Sequence, residues 1–244
     1  MTDPTPQQGG PTGGTVAGPP VRVGLVRRAR WTLLDWLYAA VWQVRSLGPT
    51  TADDYLTGDR QAVVVIPGVY ETWHFMRPLM NVLHDRGHPV HVLTDLRHNV
   101  RPVPVSAESV MAYLDEHDLQ HVLVLAHSKG GLIGKYAMTR LDPHGRIDRM
   151  VSVSTPFAGS KYAVLAPVRH LRVFRAADPV LAGLARELDA NARITSVYGV
   201  YDTLIPGGCE LAGAKNVRLD VGGHFRILAD RRTAVAVLQA ADGD

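Results

Sequence analysis

The sequence is almost free of cysteine. Of its 244 residues only Cys209 is a cysteine. A single cysteine cannot form an internal disulfide, so the fold does not depend on oxidation. Cys209 also has no cysteine or histidine neighbour at the spacing of a metal site. We therefore interpret it as a small packed residue.

Long runs of one charge and long apolar runs are also missing. Lys and Arg number 26 against 23 for Asp and Glu, with no basic block and no aromatic RNA-binding motif, which predicts no nucleic-acid partner. The longest nearly apolar stretch, residues 31–44, is shorter than the roughly 20 residues of a membrane span. It also lacks the pure apolar core and cleavage site of a signal peptide. We expect a cytoplasmic protein.

The first 48 residues differ in character from the rest. Residues 1–20 are rich in Gly, Pro, Thr and Gln, and this composition predicts a disordered tail. Residues 26–48 carry large apolar side chains at helical spacing and predict an amphipathic helix. Two interpretations stay open for this helix. It packs on the following domain, or it lies on a membrane with Arg27, Arg28 and Arg30 facing anionic headgroups.

From residue 60 to about 240, short β-branched segments alternate with longer helical ones. This order predicts an α/β fold: a doubly wound, mostly parallel sheet of about six strands, flanked by helices. The predicted strands are 62–66, 90–93, 121–126, 148–154, 193–199 and 216–221, and the predicted helices are 73–86, 106–117, 129–140, 178–188 and 225–240. The long connection between the fourth and fifth strands suggests a small lid within 157–190.

The third strand runs into the segment AHSKGG, residues 126–131, and then into a helix. A serine on a sharp strand-to-helix turn is typical of an enzyme nucleophile, because the turn exposes its Oγ and the helix N-terminus favours negative charge there. Small neighbours are needed for such a turn. Gly130 meets this need, and Ala126 replaces the more usual glycine. We predict Ser128 to be the nucleophile.

A serine nucleophile needs a base, and the base needs a carboxylate to orient it. Asp202 follows the fifth predicted strand and His224 follows the sixth, both at the sheet edge where the third strand ends. We predict these two as acid and base. Asp178 and Glu187 are rival carboxylates, but they lie in or near the long inserted connection.

An oxyanion formed during acyl transfer needs two N–H donors. The backbone N–H of Lys129, directly after the nucleophile, is one candidate. The loop after the first strand supplies the other, and we choose Val69 because Pro67 has no N–H and Gly68 allows close approach. Tyr70, Trp73 and His74 follow in this loop and, together with Phe157, are candidate substrate-binding residues; plain core packing is the alternative for them.

These residues together resemble the α/β-hydrolase superfamily, and in particular its small lipase and esterase branch without a large cap domain. The resemblance covers roughly residues 60–240. It is carried by Pro67-Gly68, the 126–131 turn, the segment STPFAGS at 154–160, Asp202 and His224. It implies hydrolysis of carboxylic esters by a Ser–His–Asp triad through an acyl-enzyme, without cofactor or metal.

Two other functions remain open at this point. The same triad serves acyltransferases, which pass the acyl group to an acceptor other than water. A hydrolase fold can also act as a non-catalytic binding module, although such a module has no need for all three triad residues. The expected partner is a small or lipid-like ester, with peripheral membrane contact through residues 26–48.

Overall fold

Six parallel strands form one sheet in the order β2-β1-β3-β4-β5-β6. The computed structural model describes residues 23–46, 48, 51–164 and 169–243. The predicted tail, residues 1–20, lies outside this range. The strands are β1 (Val63–Ile66), β2 (Val90–Val92), β3 (Val122–His127), β4 (Ile147–Val153), β5 (Ile194–Tyr201) and β6 (Lys215–Gly222). The predicted parallel, doubly wound sheet is confirmed.

Helices cover both faces of the sheet. They are α1 (Leu25–Arg45), α2 (Arg77–His84), α3 (Val103–Glu116), α4 (Lys129–Tyr136), α5 (Pro179–Arg186) and α6 (Arg231–Asp242). One apolar core joins the sheet to α3, α4 and α5, and a second joins it to α1, α2 and α6. The central strands are therefore buried on both sides, which explains their nearly continuous apolar sequences.

Three of the predicted helices include 3-10 or π-helical turns. The 3-10 turn Trp73–Met76 precedes α2, and α4 passes into the π-helical turn Ala137–Leu141. The predicted helix 225–240 is a 3-10 turn, Arg226–Ala229, followed by α6. The break falls at Asp230, whose carboxylate accepts the N–H of Arg232 and starts a new helix there.

The strand order reverses around β1, which has β2 on one side and β3 on the other. Connections leave β1 and β3 in opposite directions, so a crevice opens between their carboxyl ends. The loop after β1 and the turn after β3 face each other there. This crevice is where an open α/β sheet binds its ligands.

Helix α1 packs across the edge of this crevice. It buries Trp31, Asp35, Ala39 and Trp42 against the domain. An exposed ion pair, Arg27 Nη2 to Asp220 Oδ2 at 2.8 Å, joins it to β6. Among the described residues, no helix has the length and apolar character needed to cross a membrane.

The close packing of α4 on β1 gives a stability prediction. A Cβ added to Gly130 would lie 2.1 Å from the carbonyl oxygen of Ile66, whereas one added to Gly183 in α5 would meet nothing closer than 3.9 Å. We expect Gly130→Ala to lower the free energy of unfolding by more than about 2 kcal/mol. Gly183→Ala should leave it unchanged or raise it by up to about 1 kcal/mol.

Urea denaturation followed by circular dichroism measures both values. Equal stability of the two variants would contradict the close approach of α4 to β1.

Candidate active site

Ser128 lies at the turn between β3 and α4 in a strained backbone conformation. Its φ is 51° and its ψ is −120°, which a residue with a side chain adopts only when the surroundings impose it. The Ser128 N–H donates to the carbonyl of Val153 at 2.9 Å. On the helix side, a Cβ on Gly131 would lie 2.0 Å from Thr155 Oγ1. Packing on both sides therefore maintains the turn.

The three residues predicted as a triad lie in hydrogen-bond contact. The distance from His224 Nε2 to Ser128 Oγ is 3.0 Å, and the distance from His224 Nδ1 to Asp202 Oδ2 is 2.8 Å. All three side chains are buried. The second carboxylate oxygen of Asp202 accepts the N–H groups of Leu204 and Ile205, at 2.8 and 2.9 Å. The carboxylate is thus held on both oxygens.

The environment shifts the pKa values of this acid and base in opposite directions. Burial acts to raise the pKa of Asp202, but the contact with His224 and the N–H groups of Leu204 and Ile205 together bring it below its ordinary value. Burial acts to lower the pKa of His224, and the Asp202 carboxylate outweighs this and raises it. A base whose pKa is raised by a neighbouring carboxylate is suited to accept a proton from the serine.

The two predicted oxyanion donors, Val69 and Lys129, belong to the loop after β1 and to α4. Lys129 is the first residue of α4, so its N–H has no partner within the helix. In the loop after β1, the Gly68 N–H donates to Glu71 Oε2 at 3.0 Å and the Tyr70 N–H donates to the His98 carbonyl at 2.7 Å. Val69 lies between these two engaged residues and lines the cavity at Ser128.

The side chain of Lys129 points away from the cavity and stabilises the turn. It is buried, and its ammonium donates to the carbonyl of Asn99 at 2.8 Å and to that of Arg101. Burial lowers its pKa to about 8. Asn99 in turn donates to the carbonyl of Pro67 at 2.7 Å. Lys129 therefore links the turn at Ser128, through Asn99, to the loop after β1.

A second buried acid–histidine pair lies behind the triad. His127 Nδ1 is 2.8 Å from Glu71 Oε2, and His127 Nε2 is 3.0 Å from the backbone oxygen of His224. Glu71 also accepts the N–H of Gly68, so this pair joins the loops that carry Val69 and His224 to β3. The sequence places His127 directly before Ser128, but nothing in the local pattern brings it together with Glu71, 56 positions away.

Glu71, His127 and His224 also form a cluster whose donor atoms lie within 4.8 Å of one another. Such a set resembles a metal site. Here every ring nitrogen already has a hydrogen-bond partner: the Glu71 carboxylate, a backbone oxygen, Asp202 and Ser128. The cluster is therefore explained as a hydrogen-bond network.

An apolar cavity of about 550 Å³ opens above Ser128. Its walls come from α1, the loop after β1, the connection between β4 and β5, and the loops after β5 and β6. Its lining residues are Trp36, Ala39, Ala40, Gln43, Val69, Tyr70, Glu71, Phe75, Ser128, Pro156, Ser160, Tyr162, Ala163, Leu171, Phe174, Leu204, Ile205, His224 and Phe225. Most are apolar, as in sites that bind apolar ligands.

Of the four candidate substrate-binding residues, only Tyr70 lines this cavity. Trp73, His74 and Phe157 are not among its lining residues. Trp73 stacks on His74 with ring centroids 3.9 Å apart and packs against the core beneath α1 and α2, and Phe157 belongs to the core on the opposite face of the sheet. Their aromatic rings are used for packing, the alternative considered for them.

Part of the connection predicted as a lid lines the cavity. Its 3-10 turns Lys161–Val164 and Arg169–Phe174 contribute Tyr162, Ala163, Leu171 and Phe174 to the wall. Ser160 N–H donates to the Phe174 carbonyl at 2.8 Å and joins the two turns. Leu165, also assigned to the lid from sequence, lies outside the described residues. The rival carboxylate Asp178 instead caps α5 by accepting the N–H groups of Val180 and Leu181.

Solved structures with the same architecture were found at low sequence identity. A mature lipase from Bacillus licheniformis matches with a TM-score of 0.62 at 15% identity, over 80% of this chain and 96% of that one. A hydrolase from Pseudomonas aeruginosa matches with a TM-score of 0.52 at 18% identity, over 76% and 91% of the chains. This chain has the α/β-hydrolase fold.

A monoacylglycerol lipase from Paleococcus ferrophilus shares this fold, with a TM-score of 0.54 and 16% identity over 77% of this chain and 97% of that one. No protein-family model matches the sequence, and no curated protein matches it. The α/β-hydrolase fold therefore rests on the structural comparison, and the roles of individual residues rest on the geometry of this site.

The raised pKa of His224 gives a prediction for stability. A group whose pKa is higher in the folded than in the unfolded protein stabilises the folded state. For His224 this stabilisation is complete below the unfolded pKa, near 6.5, and is lost as the pH rises through the folded pKa. We expect the stability advantage of the wild type over His224→Gln to be larger at pH 6 than at pH 9. Urea denaturation at several pH values measures it, and a difference independent of pH would contradict the pairing with Asp202.

Proposed function

We propose that this protein is a serine hydrolase that cleaves carboxylic esters. The observation that carries the proposal is the contact of His224 with Ser128 Oγ on one ring nitrogen and with Asp202 on the other, at 3.0 and 2.8 Å. The names of the structural neighbours, two lipases and a hydrolase, agree with this class of reaction. At such low identity the likeness supports only the fold, so the proposed activity depends on the site itself.

In the proposed mechanism, Ser128 Oγ attacks the ester carbonyl carbon while its proton passes to His224 Nε2. The negative charge on the carbonyl oxygen is stabilised by the N–H groups of Val69 and Lys129. Collapse of the intermediate expels the alcohol, which takes the proton from His224. Water, deprotonated by the same histidine, then releases the carboxylic acid and regenerates Ser128. Asp202 orients the imidazole and stabilises its charged form.

The cavity indicates the kind of ester. Its apolar walls and its volume of about 550 Å³ fit an extended hydrocarbon chain better than a small polar acyl group. The exposed rings of Tyr70 and Tyr162 lie on its lining and place aromatic surface where the ligand meets solvent. We therefore include esters with apolar acyl chains, such as acylglycerols, in the proposal.

A fluorophosphonate probe and p-nitrophenyl octanoate test the activity. We expect the wild type to be labelled at Ser128 and to hydrolyse the ester. Ser128→Ala should abolish labelling and lower kcat/KM by a factor of about 10⁴ or more, because the nucleophile is lost. His224→Ala should slow both reactions strongly. Ser109→Ala, which changes a serine of α3 away from the cavity, is the matched control and should behave as wild type.

Mass spectrometry of the labelled peptide identifies the modified residue. Hydrolysis that survives in Ser128→Ala, or labelling at another serine, would overturn the proposal. Added alcohols that divert the acyl group to a new ester would instead indicate an acyltransferase with the same triad.

We also propose that α1 brings this site to a lipid surface with anionic headgroups. Apolar residues recur every three or four positions along its outer side, and Leu33, Leu37 and Val44 are 70%, 57% and 69% exposed. Trp36, 52% exposed, belongs to both this stripe and the cavity wall. The stripe is therefore continuous with the mouth of the cavity, as a route for a lipid substrate requires.

The charges of α1 favour an anionic surface over a second copy of this chain. The helix contains four arginines, and its single acidic residue, Asp35, is completely buried. Arg30 lies three residues before Leu33, on the same side of the helix as the stripe. Cationic side chains around an apolar stripe attract anionic headgroups, whereas two such helices would repel each other.

Sedimentation with phospholipid vesicles tests this proposal. We expect binding to vesicles that contain phosphatidylglycerol and weaker binding to pure phosphatidylcholine. The double change Leu33→Glu and Leu37→Glu should lower binding at least about tenfold, because two apolar side chains no longer enter the lipid. Val235→Glu replaces a similarly exposed residue on α6 and is the control.

Equal binding by the double variant and the control would contradict a role of α1 in lipid contact. A dimer in light scattering that the double variant abolishes would show that a second copy of the chain covers the stripe.

A further inference from the structure

Asp35 is a buried carboxylate on a helix that lies outside the strand–helix repeat of the domain. It interrupts the apolar side of α1 and is 0% exposed. Transferring a carboxylate from water to such a place is unfavourable unless hydrogen bonds compensate it.

The Asp35 carboxylate accepts three successive backbone N–H groups of the loop after β6. Oδ2 accepts the N–H of His224 at 2.8 Å, and Oδ1 accepts those of Phe225 and Arg226, each at 2.8 Å. Consecutive N–H groups that converge on one anion form a compact binding site for negative charge. The hydroxyl of Thr203, next to Asp202, also donates to Oδ2 at 3.4 Å.

The two glycines before His224 show how closely α1 approaches this loop. A Cβ on Gly222 would lie 2.0 Å from the ring of Trp31, and one on Gly223 would lie 2.6 Å from Asp35 Oδ1. Gly223 also has a φ of 111°, in the region that favours glycine. The contact with α1 thus requires glycine at both positions. This steric fit indicates the close approach of α1 independently of the hydrogen bonds to Asp35.

We infer that Asp35 is a positioning residue for His224, so that α1 is a structural part of the active site. The inference rests on the proposed function of the triad. Asp35 contacts the backbone N–H of His224, and His127 contacts its backbone oxygen. With the backbone held at both groups, the His224 ring contacts Ser128 and Asp202. The same helix supplies Trp36, Ala39, Ala40 and Gln43 to the cavity wall.

The negative charge of Asp35 also acts on His224. Burial lowers the pKa of His224, while the carboxylate of Asp202 and, to a smaller extent, those of Glu71 and Asp35 raise it. The groups that surround the ring are Asp202 after β5, Glu71 after β1, His127 on β3, Asp35 on α1 and the neighbouring Arg226. Loss of the Asp35 charge alone should shift the titration of His224 towards lower pH.

The test compares Asp35→Asn, Asp35→Glu and Arg27→Ala with the wild type. Asp35→Asn keeps the shape but loses the charge and one acceptor, and Asp35→Glu keeps the charge but displaces it. Arg27→Ala removes the exposed ion pair with Asp220 and the contact of the guanidinium with the Trp31 ring, and controls for weakened docking of α1. Hydrolysis of p-nitrophenyl octanoate is measured per active site, counted by complete reaction with the fluorophosphonate probe.

We expect kcat per active site to fall roughly 10- to 100-fold in Asp35→Asn, with little change in KM, because the histidine is displaced from the serine. In the dependence of kcat/KM on pH, the acidic limb of this variant should lie at lower pH than that of the wild type. Asp35→Glu should lower kcat but keep the limb near its wild-type position. Arg27→Ala should match the wild type in both.

A purely structural role would reduce the number of active sites and the melting temperature, and leave kcat per site and the pH profile unchanged; this result would overturn the inference. Wild-type values in both Asp35 variants would overturn it as well. If Asp35→Asn does not fold, Asp35→Glu alone decides through kcat per site. Full activity of Ser128→Ala would instead overturn the proposed function, so the two failures are distinguishable.

Discussion

The site depends on the close contact between α4 and the carboxyl ends of β1 and β3. Gly130 lies against the carbonyl of Ile66, and there is no space for even a methyl group between them. This approach forces the chain at Ser128 into a positive φ, and the turn raises the hydroxyl out of the sheet edge. The strain is maintained because hydrogen bonds and packing on both sides of the turn leave the backbone no alternative. In the proposed mechanism, the first N–H groups of α4 then point at the place where negative charge develops.

Around this turn the protein buries three carboxylates, Asp35, Glu71 and Asp202, and two imidazoles. Each carboxylate has a different set of partners. Asp202 contacts the ring of His224 and accepts two backbone N–H groups. Glu71 contacts the ring of His127 and accepts one backbone N–H group. Asp35 accepts three backbone N–H groups. These hydrogen bonds offset the cost of burial and at the same time fix the loops that carry Asp202 and His224. Polar groups therefore organise the site, while the two apolar cores organise the fold.

The same helix has two different surfaces at this site. The inner side of α1 contacts the histidine loop through Trp31 and Asp35 and contributes to the cavity wall, and its outer side presents exposed leucines and arginines. If both proposals hold, the element that contacts lipid is also the element that holds the base in place. Substrate entry and catalytic geometry would then share one structural support.

Much of this architecture is determined by local sequence patterns. Continuous β-branched segments specify strands buried on both faces, and the alternation with helices specifies a parallel sheet. Chain order then brings Ser128, Asp202 and His224 to one edge, because every parallel strand ends there. The start of α6 at Arg231 differs from the predicted start at residue 225, because the apolar pattern runs through Asp230, where a cap begins the new helix.

Only the tertiary structure decided the contacts between segments that lie far apart in the chain. Asp35 and His224 are separated by 189 positions, and Glu71 and His127 by 56, so no periodicity relates them. Whether an aromatic residue such as Trp73 lines the cavity or packs in the core depends on the direction of its side chain after the helices have docked. The sequence by itself determined the strands and the placing of Ser128, Asp202 and His224 at one edge of the sheet, because these follow from local periodicity and from strand polarity. The cavity, its α1 wall and the buried carboxylate network arise from long-range packing.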